Sequence, residues 1–236
     1  MSNERLELAG LTTHVISPRA GGLDDATLTV VLLHGFGAPG TDLVDLGRYL
    51  DIPNTRFVFP EAPLELGGMY GEARAWWRLD LAKLEHDLRT GNASDRSKEL
   101  PEGLPAVREQ VGRFIDELAA KFKTTTERIV LGGFSQGSMV SIDVALHHAT
   151  RLAGLVLLSS TIIAESAWAP LMTKAAGLPV FQSHGRGDAL LPFSVAEQLR
   201  DKLKTAGALV EWHPFNGGHE IPPMVLSELA TFLRSR

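Results

Sequence analysis

"VLGGFSQGSMV", residues 130–140, sets one serine between two glycines directly after a strand-forming run. Gly133-Phe134-Ser135-Gln136-Gly137 has the form G-x-S-x-G. Ile129-Val130-Leu131 reads as a strand, and the residues from Ser135 onward read as a helix. A serine on so sharp a strand-to-helix turn must adopt a strained backbone, and small neighbours at Gly133 and Gly137 relieve the crowding. The helix start then offers N–H groups and positive potential to a developing oxyanion. The same residues would also suit a plain helix start with a capping serine. Serine alone is a poor nucleophile. The stretch therefore carries chemistry only if the chain also supplies a base, an acid and a second anion-binding donor.

Working outward, short apolar runs alternate with amphipathic stretches, the pattern of βαβ units and a mostly parallel sheet. Strands are predicted at 28–33, 56–59, 128–131, 154–159, 179–183 and 209–213, with an antiparallel edge hairpin over 6–16. Helices are predicted at 41–50, 104–122, 135–148, 164–175, 194–206 and 223–233. Ser194 and Glu197 have the spacing of a capping box. Val107, Val111, Phe114, Ile115 and Leu118 recur at helical spacing and mark a buried face. Residues 60–105 mix prolines, glycines, tryptophans and charges. That is too long for a plain connection, so it reads as an excursion over one end of the sheet within a single domain spanning 1–236.

The base must come from eight histidines. His219, in Asn216-Gly217-Gly218-His219-Glu220, follows the last predicted strand and precedes the last helix. That places it at the strand ends where Ser135 is presented. His213 falls in or at the end of a strand, and His86, His147 and His148 fall in helices. The acid should lie between serine and histidine in the chain. Asp188, in Ser183-His184-Gly185-Arg186-Gly187-Asp188, meets that condition in a loop at the correct end. There it would accept the histidine Nδ1–H and fix the tautomer. Asp143 and Asp201 sit in helices and suit the role less well. The anion hole would use the amides of Gln136, after the nucleophile, and of Phe36, in the turn Leu32-Leu33-His34-Gly35-Phe36-Gly37. No Lys-Ser/Thr pair follows those glycines, which argues against a phosphate cradle.

Composition narrows the classes further. The chain has 236 residues, 44% hydrophobic and 22% charged, enough for a substantial core. A net charge of -5, from 23 basic and 28 acidic residues without a basic cluster, argues against nucleic acid as a partner. With no cysteine, disulfides, thiolate catalysis and Cys-ligated zinc are excluded, which fits a cytoplasmic protein. The apolar runs are strand-sized, so no stable membrane insertion is expected.

Taken in order, His-Gly-Phe-Gly, Gly-Phe-Ser-Gln-Gly-Ser, His-Gly-x-x-Asp and Gly-Gly-His resemble the α/β-hydrolase superfamily. More narrowly, they resemble the phospholipase/carboxylesterase family, which includes acyl-protein thioesterases. The resemblance runs from about Val30 to the C-terminus. It implies an α/β-hydrolase fold with helices on both faces of the sheet and no large separate lid domain. It also implies Ser135 as nucleophile, His219 as base, Asp188 as acid, and the Phe36 and Gln136 amides as anion hole. The expected partner is a small-molecule ester or thioester, cleaved without cofactor or metal; a homodimer is left open. Residues 65–80 and the polar stretch 90–99 depart from the acyl-protein thioesterase pattern. Within the excursion, Trp76 and Trp77 cannot both face inward on a strand, so one is expected to line an acyl or aryl pocket while the other packs. Met69, Tyr70 and Leu190 are candidates for the same cleft. Other readings are a dienelactone-hydrolase-like or peptidase-like enzyme, or a catalytically inactive ligand-binding protein on the same fold.

Overall fold

The computed structural model describes residues 2–18, 26–67, 71–80, 82, 86, 89–90, 96–148 and 151–236. Its centre is an eight-stranded sheet. In chain order the strands are β1 (Ser2–Leu8), β2 (Leu11–Ser17), β3 (Leu28–Leu33), β4 (Thr55–Pro60), β7 (Ile129–Phe134), β8 (Gly154–Leu158), β9 (Pro179–Gly185) and β10 (Leu209–Phe215). Two short strands, β5 (Leu64–Glu65) and β6 (Arg74–Ala75), form a separate antiparallel pair. The spatial order of the main sheet is β1-β2-β4-β3-β7-β8-β9-β10. β1 and β2 form the expected antiparallel edge hairpin, β2 runs antiparallel to β4, and β4, β3, β7, β8, β9 and β10 are mutually parallel.

The parallel strands are apolar on both faces because helices cover both. In β3, Val31 and Leu33 pack toward α2 (Leu104–Lys121) and α3 (Gln136–His147). Val30 and Leu32 join the opposite layer with α1 (Val44–Leu50) and α6 (Pro223–Arg234). The period-2 alternation of a strand thus divides one apolar run between two cores. Val107, Val111, Phe114, Ile115 and Leu118 are all buried, as the helical spacing predicts.

Helix α1 starts at Val44 instead of Thr41, and two further helices differ from expectation. The run 164–175 is a short α4 (Glu165–Trp168) followed by a 3₁₀ segment, Ala169–Ala175. Pro170 falls just there and has no N–H to continue an α-helical ladder. The Ser194/Glu197 box does not form: α5 (Phe193–Thr205) starts from Pro192, with no side-chain cap. Pro192, at φ -57°, starts the helix one residue early, so Ser194 already lies within the first turn.

The order of the strands positions the site. From β3 the chain passes to β4 on one side, whereas β7 and all later strands build outward on the other. The crevice at such a reversal, beyond the C-terminal strand ends, is where open α/β sheets bind ligands. Leu33 and Gly133 are register partners, so the turns after β3 and β7 open side by side into that crevice.

Candidate active site

Ser135 sits between β7 and α3 with φ 52° and ψ -118°, a conformation costly for a residue with a side chain. Its backbone is over-determined. The Ser135 N–H donates to the Leu158 carbonyl (2.9 Å), and its own carbonyl accepts from the N–H groups of Ser138 (3.0 Å) and Met139 (3.2 Å). The Ser138 hydroxyl also donates to that carbonyl, at 2.6 Å. Glycine is required on either side for close approach. A Cβ on Gly137 or Gly133 would collide with the Leu33 carbonyl.

Asp188 lies in the loop after β9, its side chain fully buried. Oδ1 accepts the N–H groups of Leu190 and Leu191, each at 2.9 Å. Oδ2 lies 2.7 Å from Nδ1 of His219, in the loop after β10. Because an ionised carboxylate only accepts, Nδ1 carries the hydrogen and Nε2 is left as the basic nitrogen. Burial alone would push the Asp188 carboxyl up. The hydrogen bond and charge interaction with His219, with the two backbone donors, outweigh it and bring its pKa below the ordinary value. The His219 ring packs on Phe134 at 4.8 Å between centroids. His184 sits beneath, its Nε2–H donating to the Leu191 carbonyl (3.0 Å) and lying 3.4 Å from Asp188 Oδ2. Burial lowers the His184 pKa and keeps it neutral.

The turn after β3 is held from several directions. His34 is buried; its Nδ1–H donates to the Gly35 carbonyl (2.8 Å) and its Nε2 accepts the Ala62 N–H (3.0 Å). The Gly37 N–H donates to the Arg74 carbonyl (2.9 Å), and the Arg74 N–H to the Ala38 carbonyl (3.0 Å). Among the described residues, the Phe36 N–H meets no internal acceptor. The Gln136 N–H belongs to the first turn of α3, where helical N–H groups lack a carbonyl four residues back.

Ser135, His219, Phe36 and Gln136 line one cleft of about 360 Å³. Its walls are mostly apolar and include Trp77, Leu79, Met139, Ile163, Leu190 and Leu191; Asp42, Arg96 and Glu99 add charge. Of the expected substrate contacts, Trp77 and Leu190 line the cleft and Trp76 does not. Trp76 is fully buried, with its indole N–H donating to the His34 carbonyl at 2.9 Å. Met69 and Tyr70 lie outside the described residues. His213 stacks on Phe181 at 4.5 Å instead of entering the cleft. A further cavity of about 410 Å³, lined by Ile162, Trp168, Met172 and Leu199 among others, touches none of the predicted site residues.

Some cleft residues escaped the sequence reading. Met139 follows Ser135 by four, one helical turn along the same face, so helical spacing could have found it. Arg96 and Glu99 come from the polar end of the excursion, where nothing periodic signals orientation. Among the described residues, no helix is long and apolar enough to cross a membrane.

Parallel strands that deliver a serine, a carboxylate and a histidine, in that chain order, to the crevice of the sheet make this an α/β-hydrolase. The phospholipase/carboxylesterase family matches residues 14–236, and the chain belongs to that family. Acyl-protein thioesterase 1 of Mycosarcoma maydis is 31% identical, over 94% of this chain and 96% of its own. The crystal structure of esterase PE8 superposes with a TM-score of 0.79 at 28% identity, covering 95% of this chain and 98% of that one. The carboxylesterase of Bacillus cereus, 19% identical with a TM-score of 0.74 over 95% of this chain and 94% of its own, shares the fold. The chain is an ester-cleaving hydrolase.

Proposed function

We propose that this hydrolase cleaves carboxylic esters and thioesters of small to medium size through an acyl-enzyme on Ser135, with His219 as base and Asp188 as the acid that orients it. The observation that carries this reading is the 2.7 Å Asp188–His219 bond in the same crevice as the strained Ser135. In the first half-reaction, Ser135 Oγ bonds to the substrate carbonyl carbon while its proton passes to His219 Nε2. The oxyanion accepts hydrogen bonds from the Phe36 and Gln136 amides. Collapse breaks the C–O or C–S bond, and His219 returns the proton to the departing alcohol or thiol. Water then attacks the acyl-enzyme by the same route, releasing the carboxylic acid and restoring Ser135.

The apolar walls suit an acyl or aryl group, and the modest cavity suits a short or medium one. The match to acyl-protein thioesterase 1 supports including thioesters. A fluorophosphonate probe tests the reading directly. It should label wild-type enzyme at Ser135 and leave Ser135→Ala unlabelled. The same variant should lose about 10⁴-fold or more in kcat on a p-nitrophenyl ester. A folded Ser135→Ala protein keeping more than about a tenth of wild-type activity would remove the assignment. An unlabelled wild type would favour a ligand-binding protein on this fold.

A further inference from the structure

We infer that the side chain of Gln136 is a positioning residue that decides which acyl or aryl groups the enzyme accepts, because it fixes Trp77 against the cleft; the inference rests on the site as proposed above. Gln136 is 2% exposed. Its Oε1 accepts the N–H of Trp76 (2.8 Å), and its Nε2 donates to the carbonyl of Trp77 (2.9 Å). Those partners settle which end of the amide is which. A primary amide presents one acceptor and one donor side by side, so it complements an N–H and a C=O from adjacent residues. A carboxylate of the same shape could only accept, and a thioether has no donor and accepts only weakly.

The place of this clamp gives it its effect. On the near side, the excursion is already fastened: Arg74 pairs with Gly37 and Ala38, and the Trp76 indole bonds to the His34 carbonyl. Past Trp77, residues 78–80 belong to no helix or strand. Gln136 therefore anchors the chain just before it supplies Trp77 and Leu79 to the cleft wall. The anchor itself is firm, since Gln136 opens α3 directly after the constrained Ser135. One residue thus contributes its backbone N–H to the anion hole and its side chain to the wall that meets the acyl group. Substitution of the side chain leaves the backbone N–H in place, so the two roles are separable.

The test compares Gln136→Met and Gln136→Glu with wild type on p-nitrophenyl acetate and p-nitrophenyl octanoate, each activity taken as a ratio to wild type at the same pH. Gln136→Met should lose about tenfold or more in kcat/KM on the octanoate, mostly through KM, and several-fold less than that on the acetate. Gln136→Glu should show the same graded loss at about pH 8 and recover part of it at about pH 6. Burial raises the pKa of such a carboxyl, and once protonated it can again donate to the Trp77 carbonyl while accepting from Trp76. Equal losses on both esters, no loss on the octanoate, or a loss in Gln136→Glu that does not shrink at the lower pH would each overturn the inference. Fluorophosphonate labelling separates this failure from that of the site. An unlabelled wild type would remove the nucleophile, whereas full labelling with an ungraded loss would remove only the role of the Gln136 side chain.

Discussion

Asp188→Asn is the substitution for which the geometry dictates the outcome most closely. The amide that replaces the carboxylate has one acceptor and one donor, and it must choose how to face its partners. On one side are the N–H groups of Leu190 and Leu191, and on the other is His219 Nδ1. Turning the NH₂ toward the backbone would strand two buried donors at about 1–3 kcal/mol each, roughly 2–6 kcal/mol together. The favoured arrangement keeps oxygen on the backbone and aims the NH₂ at His219. Nδ1 must then accept, so the ring hydrogen moves to Nε2, the nitrogen that should take the Ser135 proton. The loop keeps its hydrogen bonds, so the fold should survive, while kcat falls by about 10⁴, as expected for a triad histidine locked in the wrong tautomer. That loss corresponds to about 5.4 kcal/mol of barrier at 1.36 kcal/mol per tenfold. The assay is steady-state hydrolysis of p-nitrophenyl acetate, with urea unfolding as the check on folding. A folded Asp188→Asn enzyme within about tenfold of wild type would refute the reasoning, because Asp188 would then not set the tautomer of the working base.

The two tryptophans should behave differently. Trp77→Ala should cost about 1–3 kcal/mol in kcat/KM on a preferred apolar ester and much less on an acetyl ester, and losses equal across substrates would deny it a binding role. Trp76→Ala should instead lower stability by about 3–5 kcal/mol, read from urea unfolding, because a fully buried ring and its bond to the His34 carbonyl are removed together. Acid should destabilise the fold through His34 and His184, whose pKa values burial lowers from about 6.5. Their contribution is fully present above the unfolded value. As the pH falls below it, the unfolded chain takes up protons that the folded one refuses, at up to about 1.4 kcal/mol per pH unit for each ring. Asp188 adds in the same direction at lower pH, since its folded pKa also lies below the unfolded one. The urea midpoint should therefore drop between about pH 7.5 and 5.5, and a flat midpoint would contradict the burial of these histidines.

Much of this architecture is written in local sequence. The run Val30-Val31-Leu32-Leu33 announces a strand covered on both faces, because its alternate residues each need an apolar neighbour and β3 finds one in each core. The serine elbow is equally local. A strand, a strained turn and a helix start occupy a few consecutive residues, and Gly133 and Gly137 are there because the Leu33 carbonyl leaves no room for a Cβ. The loops carrying Asp188 and His219 could be placed because each follows a strand legible in the sequence, although β9 and β10 run two residues past the expected ends, to Gly185 and Phe215.

The cleft wall obeys no such local rule. Alternation would send Trp76 and Trp77 to opposite faces, one covered and one open, yet both are buried. The segment lies between the turn after β3 and the start of α3, so partners cover it on both sides. The bond from Trp76 to His34 spans 42 residues and the bond from Gln136 to Trp77 spans 59. No period connects residues so far apart. A glutamine beside a serine carries no mark of the backbone it will clasp. The amino-acid order thus determined the sheet, the elbow and the chain order of serine, acid and histidine, all of which depend on neighbours a few residues away. Which ring faces the cleft, and what holds it there, was decided only when distant segments packed, because only then did each buried polar group have a partner to satisfy it.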